Sequence, residues 1–140
     1  MDLKSVPWVL AKGKQDGHSL MMRYRRFSQD FPKQEYPVRI NMVCDVKEQT
    51  ASGLPTRNEY ERLGRFEEQL MNTVEEDEDS VLAMVITRSG KREFIFQTAD
   101  AESFRERLSH VYGEATDYHL NLMQSEDDDW EYIQDYTPRD

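Results

Sequence analysis

"VLAMVITRSGKREFIFQT", residues 81–98, is the stretch on which the fold reading turns. Residues 81–87 are apolar on both faces of an extended chain, as a strand in the middle of a sheet must be. Ser89-Gly90 suits a two-residue hairpin turn, and the return strand puts Phe94 and Phe96 on one face. A central hairpin of this kind needs strands beside it and cover above it. Both are found by working outward in each direction.

Upstream, "YPVRINMVCDV" (36–46) alternates. Val38, Ile40, Met42 and Cys44 face one way, while Arg39, Asn41, Val43 and Asp45 face the other. Between this strand and the hairpin, Thr56 and Glu59 make the T-x-x-E pattern of a capping box. Tyr60, Leu63, Phe66, Leu70 and Val74 then follow at helical spacing, predicting a helix over 57–74. The acidic run EEDED (75–79) lacks the glycine and terminal glutamate spacing of a calcium loop and reads as a solvated connection. Downstream, Asp100 caps a second helix over 101–112, carrying Phe104, Leu108, Val111 and Tyr112, with Gly113 at its C-terminal cap. "DYHLNLM" (117–123) alternates again, with Tyr118, Leu120 and Leu122 set against His119, Asn121 and Met123.

From residue 36 the order is strand, helix, strand, strand, helix, strand. That pattern predicts an α+β fold of the ferredoxin-like split β-α-β type, an antiparallel sheet with both helices on one face. Residues 37–45 would lie between 92–97 and 117–123. PWVLAK (7–12) and SLMMRYRRF (19–27), joined by GKQDGH, predict an added N-terminal β-hairpin. Chain adjacency would pair 19–27 with 36–46, yet that strand already has two neighbours, so its partner stays open. The expected organisation is one domain over 1–140. It has a hairpin extension at 1–35, a core at 36–124 and an acidic aromatic tail at 125–140 that docks on the core.

The formal charge of −10 is unevenly spread. Residues 1–47 hold nine Lys/Arg against five Asp/Glu, and residues 48–140 hold nine against twenty-three. So acidic a balance argues against direct nucleic-acid binding, which needs a basic surface, and permits steering toward a basic partner. No apolar run reaches the ~18 residues of a membrane span, and the start lacks the apolar segment of a secretory signal. Cys44 is the single cysteine, so neither a disulfide framework nor a thiolate zinc site is expected, and the cytoplasm is the expected compartment. The sequence sets no oligomeric state.

No phosphate-binding loop, dinucleotide turn, serine elbow or H-E-x-x-H zinc motif occurs. Cys44 and His119 point to opposite faces and so do not make a nucleophile and base. His18, His110 and His119 lack metal-ligand spacing, and neither a cofactor nor a catalytic residue is expected. One polar constellation stands out. Arg39 and Asn41, with His119 and Asn121 from the expected neighbouring strand, would line the face opposite the helices, flanked by Gln97 and Glu93. Arg23, and Arg25 with it, would join from the hairpin. Such a floor suits a carboxylate, a phosphate or an acidic peptide. The plainer alternative is a solvated sheet face.

"DDDWEYIQDY" (127–136) sets Trp130, Tyr132 and Tyr136 among acids. Trp130, Ile133 and Tyr136 or Thr137 would share one face of a short helix that Pro138 stops. Asp127, Asp128 and Asp129 lie where negative charge favours a helix N-terminus. The reading is a structural clamp, with an exposed partner-binding anchor as the alternative.

The stretches "YPVRINM", "GLPTRNEYERLGRFEEQL", "DSVLAMVITRSGKREFIFQT" and "DDDWEYIQDYTP" together make the chain resemble the uncharacterised bacterial domain-of-unknown-function family 695. The resemblance rests on Gly90, Arg92 and Glu93 in the hairpin and on Trp130, Glu131 and Tyr132 at the acidic end. It implies a fold and supplies no catalytic residue. Some relatives join this domain to a module like the regulators that inhibit ribonuclease E, an association weakened here because none follows residue 140. The expected function is a non-enzymatic regulatory or protein-interaction domain that engages another protein through its sheet face or its acidic end. The alternative is a binder of a small anionic ligand, or an unrecognised enzyme, using the polar face. A narrower alternative is an acidic inhibitor of a ribonuclease.

Overall fold

The computed structural model describes residues 3–111 and 118–136. Its strands are β1 (Trp8–Gln15), β2 (His18–Arg25), β3 (Val38–Asp45), β4 (Ser80–Arg88), β5 (Lys91–Thr98) and β6 (Leu120–Glu126). Its helices are α1 (Arg57–Val74), α2 (Ala101–Ser109) and α3 (Glu131–Tyr136), with 3-10 turns at Leu3–Ser5 and Lys33–Glu35. The fold is α+β, with one six-stranded sheet in the order β1-β2-β4-β5-β3-β6 and every neighbouring pair antiparallel.

Two tight turns set the register. Asp16 and Gly17 have φ of 52° and 82°, and Ser89 and Gly90 have φ of 51° and 76°. Consecutive left-handed residues give turns whose twist matches that of paired strands. Gly90 meets a second demand, because a Cβ there would lie 2.5 Å from the Gln49 side-chain amide.

The open partner of 19–27 is β4, with Leu20 to Tyr24 pairing against Arg88 to Met84. β3 lies between β5 and β6, as expected. Two cores result, one on each side of the sheet. Leu63, Phe66, Leu70 and Val74 of α1 and Phe104 and Leu108 of α2 cover Ile40, Met42, Cys44, Phe94 and Phe96. On the opposite side Val81, Ala83, Met84, Ile86 and Ile95 pack with Tyr24, Tyr36, Trp130 and Ile133. β4 serves both cores through a bulge. Leu82 pairs with Phe96 and Met84 with Ile95, leaving Ala83 as the extra residue.

The capping box forms by half. Thr56 Oγ1 accepts from Glu59 N at 3.3 Å. The Glu59 carboxylate, fully buried, turns away to accept from the amides of Lys47 and Glu48 and from the Tyr118 hydroxyl at 2.8 Å. Burial and that bond both raise the Tyr118 pKa. α2 ends at Ser109, and the expected Tyr112 and Gly113 lie outside the described residues, as do Asp117, Thr137 and Pro138. β6 starts three residues later than the expected strand and runs on to Glu126, because Val38 and Arg39 keep pairing with Glu126 and Ser125.

Candidate binding groove

The expected polar floor is divided, and the tail closes its centre. Arg39 Nη1 donates to Asp127 Oδ2 at 2.9 Å, and Arg39 Nε donates to Asn41 Oδ1 at 2.8 Å. Asn41 Nδ2 donates to Glu93 Oε2 at 3.3 Å, and the Tyr132 hydroxyl donates to Glu93 Oε1 at 2.7 Å. The Arg39 guanidinium lies 4.6 Å over the Tyr132 ring. Burial, then the Glu93 bond, raises the Tyr132 pKa. Gln97 is buried beneath, donating to the carbonyls of Tyr36 and Asp127.

His119 and Asn121 do not join this network. The register sets Ser125 opposite Arg39 and Asn121 opposite Val43, so both residues are exposed at the far end of the sheet. Four positions of strand separate Asn121 from Ser125, about 13 Å. Arg23 does not join either. It pairs across from Val85, which belongs to the helix-side core, so Arg23 lies on the other face.

The tail accounts for the closure. Trp130, 1% exposed, sits against Phe27 and Phe31 at ring distances of 5.4 and 5.7 Å. Its Nε1 donates to the carbonyls of Lys33 and Tyr36 at 3.1 and 3.0 Å. Its φ of 57° places it just before α3 and not within it. Asp127 accepts from Glu131 N at 2.8 Å, so one carboxylate both starts α3 and neutralises Arg39. Tyr136 packs on Tyr132 at 5.4 Å. Trp130 is therefore enclosed by the protein's own residues.

The open surface lies on the helix side. α1 and α2 cover the strands from β4 to β6, and the β1–β2 hairpin extends past them. Between hairpin and α1 runs a cleft of about 840 Å³, lined by Trp8, Arg25, Gly64, Glu67, Met71 and Glu75 among others. Its α1 wall is a second stripe, Gly64, Glu67, Glu68 and Met71 with the cap residue Glu75, at positions the core stripe of Leu63, Phe66, Leu70 and Val74 does not use. Two ion pairs tie the hairpin to this wall, Arg23 with Glu67 and Arg25 with Glu75. The Trp8 ring has the Arg23 and Arg25 guanidiniums over it, at 5.3 and 4.9 Å.

The Arg25–Glu75 pair is buried, with side chains 1% and 8% exposed, and it has a backbone task. The β2–β4 ladder stops at Tyr24 and Met84. Beyond it, Leu82 N donates to Glu75 Oε2 at 2.7 Å and Leu82 O accepts from Arg25 Nη1 at 3.2 Å. The two side chains take the hydrogen bonds a longer β2 would have made, and unmet buried backbone groups are costly. Glu75, expected in a solvated connection, is thus part of the frame. Next along the sheet, Arg92 is 2% exposed, donates to Thr87 Oγ1 at 2.9 Å and lies 5.6 Å from the Tyr60 ring.

Sequence reasoning had Arg23 and Arg25 on the wrong face and missed Trp8, Gly64 and Glu67. The available signal was the second α1 stripe, polar or glycine at every position but Met71 where the first is apolar throughout. Among the described residues no cluster of His, Cys, Asp and Glu is arranged to hold a metal ion. Among them no helix is long and apolar enough to cross a membrane. Cys44 is buried in the helix-side core, and desolvation pushes its thiol up to about 12, which removes it as a nucleophile at neutral pH.

The chain belongs to DUF695, a family of unknown function, whose model matches residues 7–137. No curated protein and no solved structure matches it. Two of the four stretches behind the resemblance meet in space, at the bond from Tyr132 to Glu93.

Proposed function

We propose that the chain is a non-enzymatic regulatory domain that engages another protein through the groove between α1 and the β1–β2 hairpin. The observation that carries this is the contrast between the two faces. The polar floor is filled by Asp127 and Tyr132, whereas the groove is open, about 840 Å³, and floored by Trp8. Binding sites are concave, with apolar and aromatic lining and a few placed polar groups. The alternative, a small anionic ligand held by Arg39 or an enzyme built there, requires the tail to leave. The narrower ribonuclease-inhibitor reading rests on family resemblance. We place the protein in the cytoplasm on its single cysteine. We also read β4-β5-β3-β6 with α1 and α2 as a ferredoxin-like split unit, supported by β3 lying between β5 and β6.

The test is affinity purification of tagged wild type and of Gly64→Gln from the host, with mass spectrometry of proteins and small molecules. Gly64 lines the groove and has nothing within 4 Å of an added Cβ, so a side chain can start there without a Cβ clash and intrude on the groove. Proteins recovered with wild type and absent with the variant support the reading. Identical protein partners on both, or a small anion alone, overturn it.

A further inference from the structure

Resting on that reading, we propose the occupant's chemistry: the groove receives an extended, basic peptide segment of a partner protein. Charge is the first ground. Glu67, Glu68, Glu75, Glu76 and Glu78 line the cleft against Lys4 and Arg25. Glu67, Glu75 and Glu76 are spent on Arg23, Arg25 and Arg107, but Glu68 is exposed and makes no ion pair among the described residues. A Lys or Arg of the partner complements it.

The second ground is independent of the acids. Arg25 is 4% exposed and lines the cleft, and its Nε–H has no acceptor within the protein. A buried donor without a partner is uncommon in folded proteins and costly. The Nε atom is enclosed in the unbound protein, so a bound segment reaches it only by shifting the side chains over it; a backbone carbonyl then supplies the acceptor, which a simple polycation does not. The third ground is length. From Gly64 to Glu75 the α1 wall runs about 16 Å at the helical rise, which about five residues of extended chain would span. Trp8 and Met71 give the apolar parts of such a segment a surface to cover. Gly64 fits the same picture. A mid-helix glycine costs about 1 kcal/mol against alanine, no left-handed φ requires it, and no neighbour crowds it.

The test is a positional octapeptide library on the full chain, each position fixed in turn as Lys, Gln or Glu, with binding read by fluorescence anisotropy. Spermidine serves as the non-peptide polycation. Lys-fixed pools should bind at least tenfold tighter than Gln-fixed pools and weaken as salt is raised. Glu68→Lys should cut their affinity tenfold, and Gly64→Gln should abolish binding without lowering the thermal midpoint. Equal binding of Glu-fixed or Gln-fixed pools overturns the basic partner while leaving the groove as the site. Spermidine competing as well as the peptides overturns the peptide. Lys-pool binding unchanged by Gly64→Gln places it elsewhere and overturns the proposal. If no pool binds, the basic-peptide proposal falls, and the purification with Gly64→Gln still decides whether the groove is an interaction site.

Discussion

At the scale of single residues, burial decides what each group can do. Trp130 fills a socket of Phe27, Phe31 and Tyr36 and satisfies its indole N–H on two carbonyls. Trp130→Ala should therefore destabilise the isolated protein by about 3 kcal/mol, through lost burial and a cavity, measured by urea unfolding. An unchanged midpoint would return Trp130 to the role of an exposed anchor. Cys44 gives a pH dependence. Its thiol rises from an ordinary 9.0 to about 12 on burial, so the folded state holds the proton longer than the unfolded state does. The stabilising contribution is complete below about pH 9 and is lost as pH climbs through 12. Cys44→Ala should flatten the fall in stability between pH 9 and 11. The pairing of Asp127 with Arg39 is a residue-scale fact that sequence could not supply. Alternation gave the face of Arg39 correctly, but not that a carboxylate 88 residues on would fill it.

At the scale of elements, period and capping were legible and register was not. The 3.6 spacing of Leu63, Phe66, Leu70 and Val74 and the alternation of Val38 to Asp45 fall where the helix and strand are. The partner of 19–27 was not readable, because chain adjacency pointed to 36–46, whose two edges are taken by β5 and β6. The bulge at Ala83 was equally hidden, since 81–87 is apolar throughout and conceals any slip in facing. The same blindness moved Arg23 to the wrong face: without the pairing to Val85, nothing fixes the phase of β2 against β3. α1 itself offers a clean measurement. Gly64→Ala should raise stability by about 0.5–1 kcal/mol, the helix-propensity difference, since its Cβ points into open space. A loss of stability would show that the chain needs the glycine for its own packing.

At the scale of the molecule, the charge asymmetry of the sequence is partly consumed internally. Arg23, Arg25 and Arg39, from the basic N-terminal third, pair with Glu67, Glu75 and Asp127 of the acidic remainder. These pairs, with the β2–β4 ladder, join hairpin, helix layer and tail into one unit. Trp8 and Trp130 lie on opposite sides of the sheet, in the groove and the socket. Unfolding followed by Trp8 emission in Trp130→Phe, and by Trp130 emission in Trp8→Phe, should each show one transition. In each variant that transition should match its own far-ultraviolet circular dichroism. A Trp8 change that precedes the loss of dichroism would show a hairpin that melts alone. The bulge in β4 also bears on how a gene for this fold can vary. Loss of one codon from a central strand ordinarily turns every later side chain inside out. Here Ala83 is the supernumerary residue, and its removal would leave Leu82 opposite Phe96 and Met84 opposite Ile95, each still facing its own core. The fold should accept that one-residue deletion in its most buried strand, giving soluble protein with native dichroism, while deletion of neighbouring Val85 should give none.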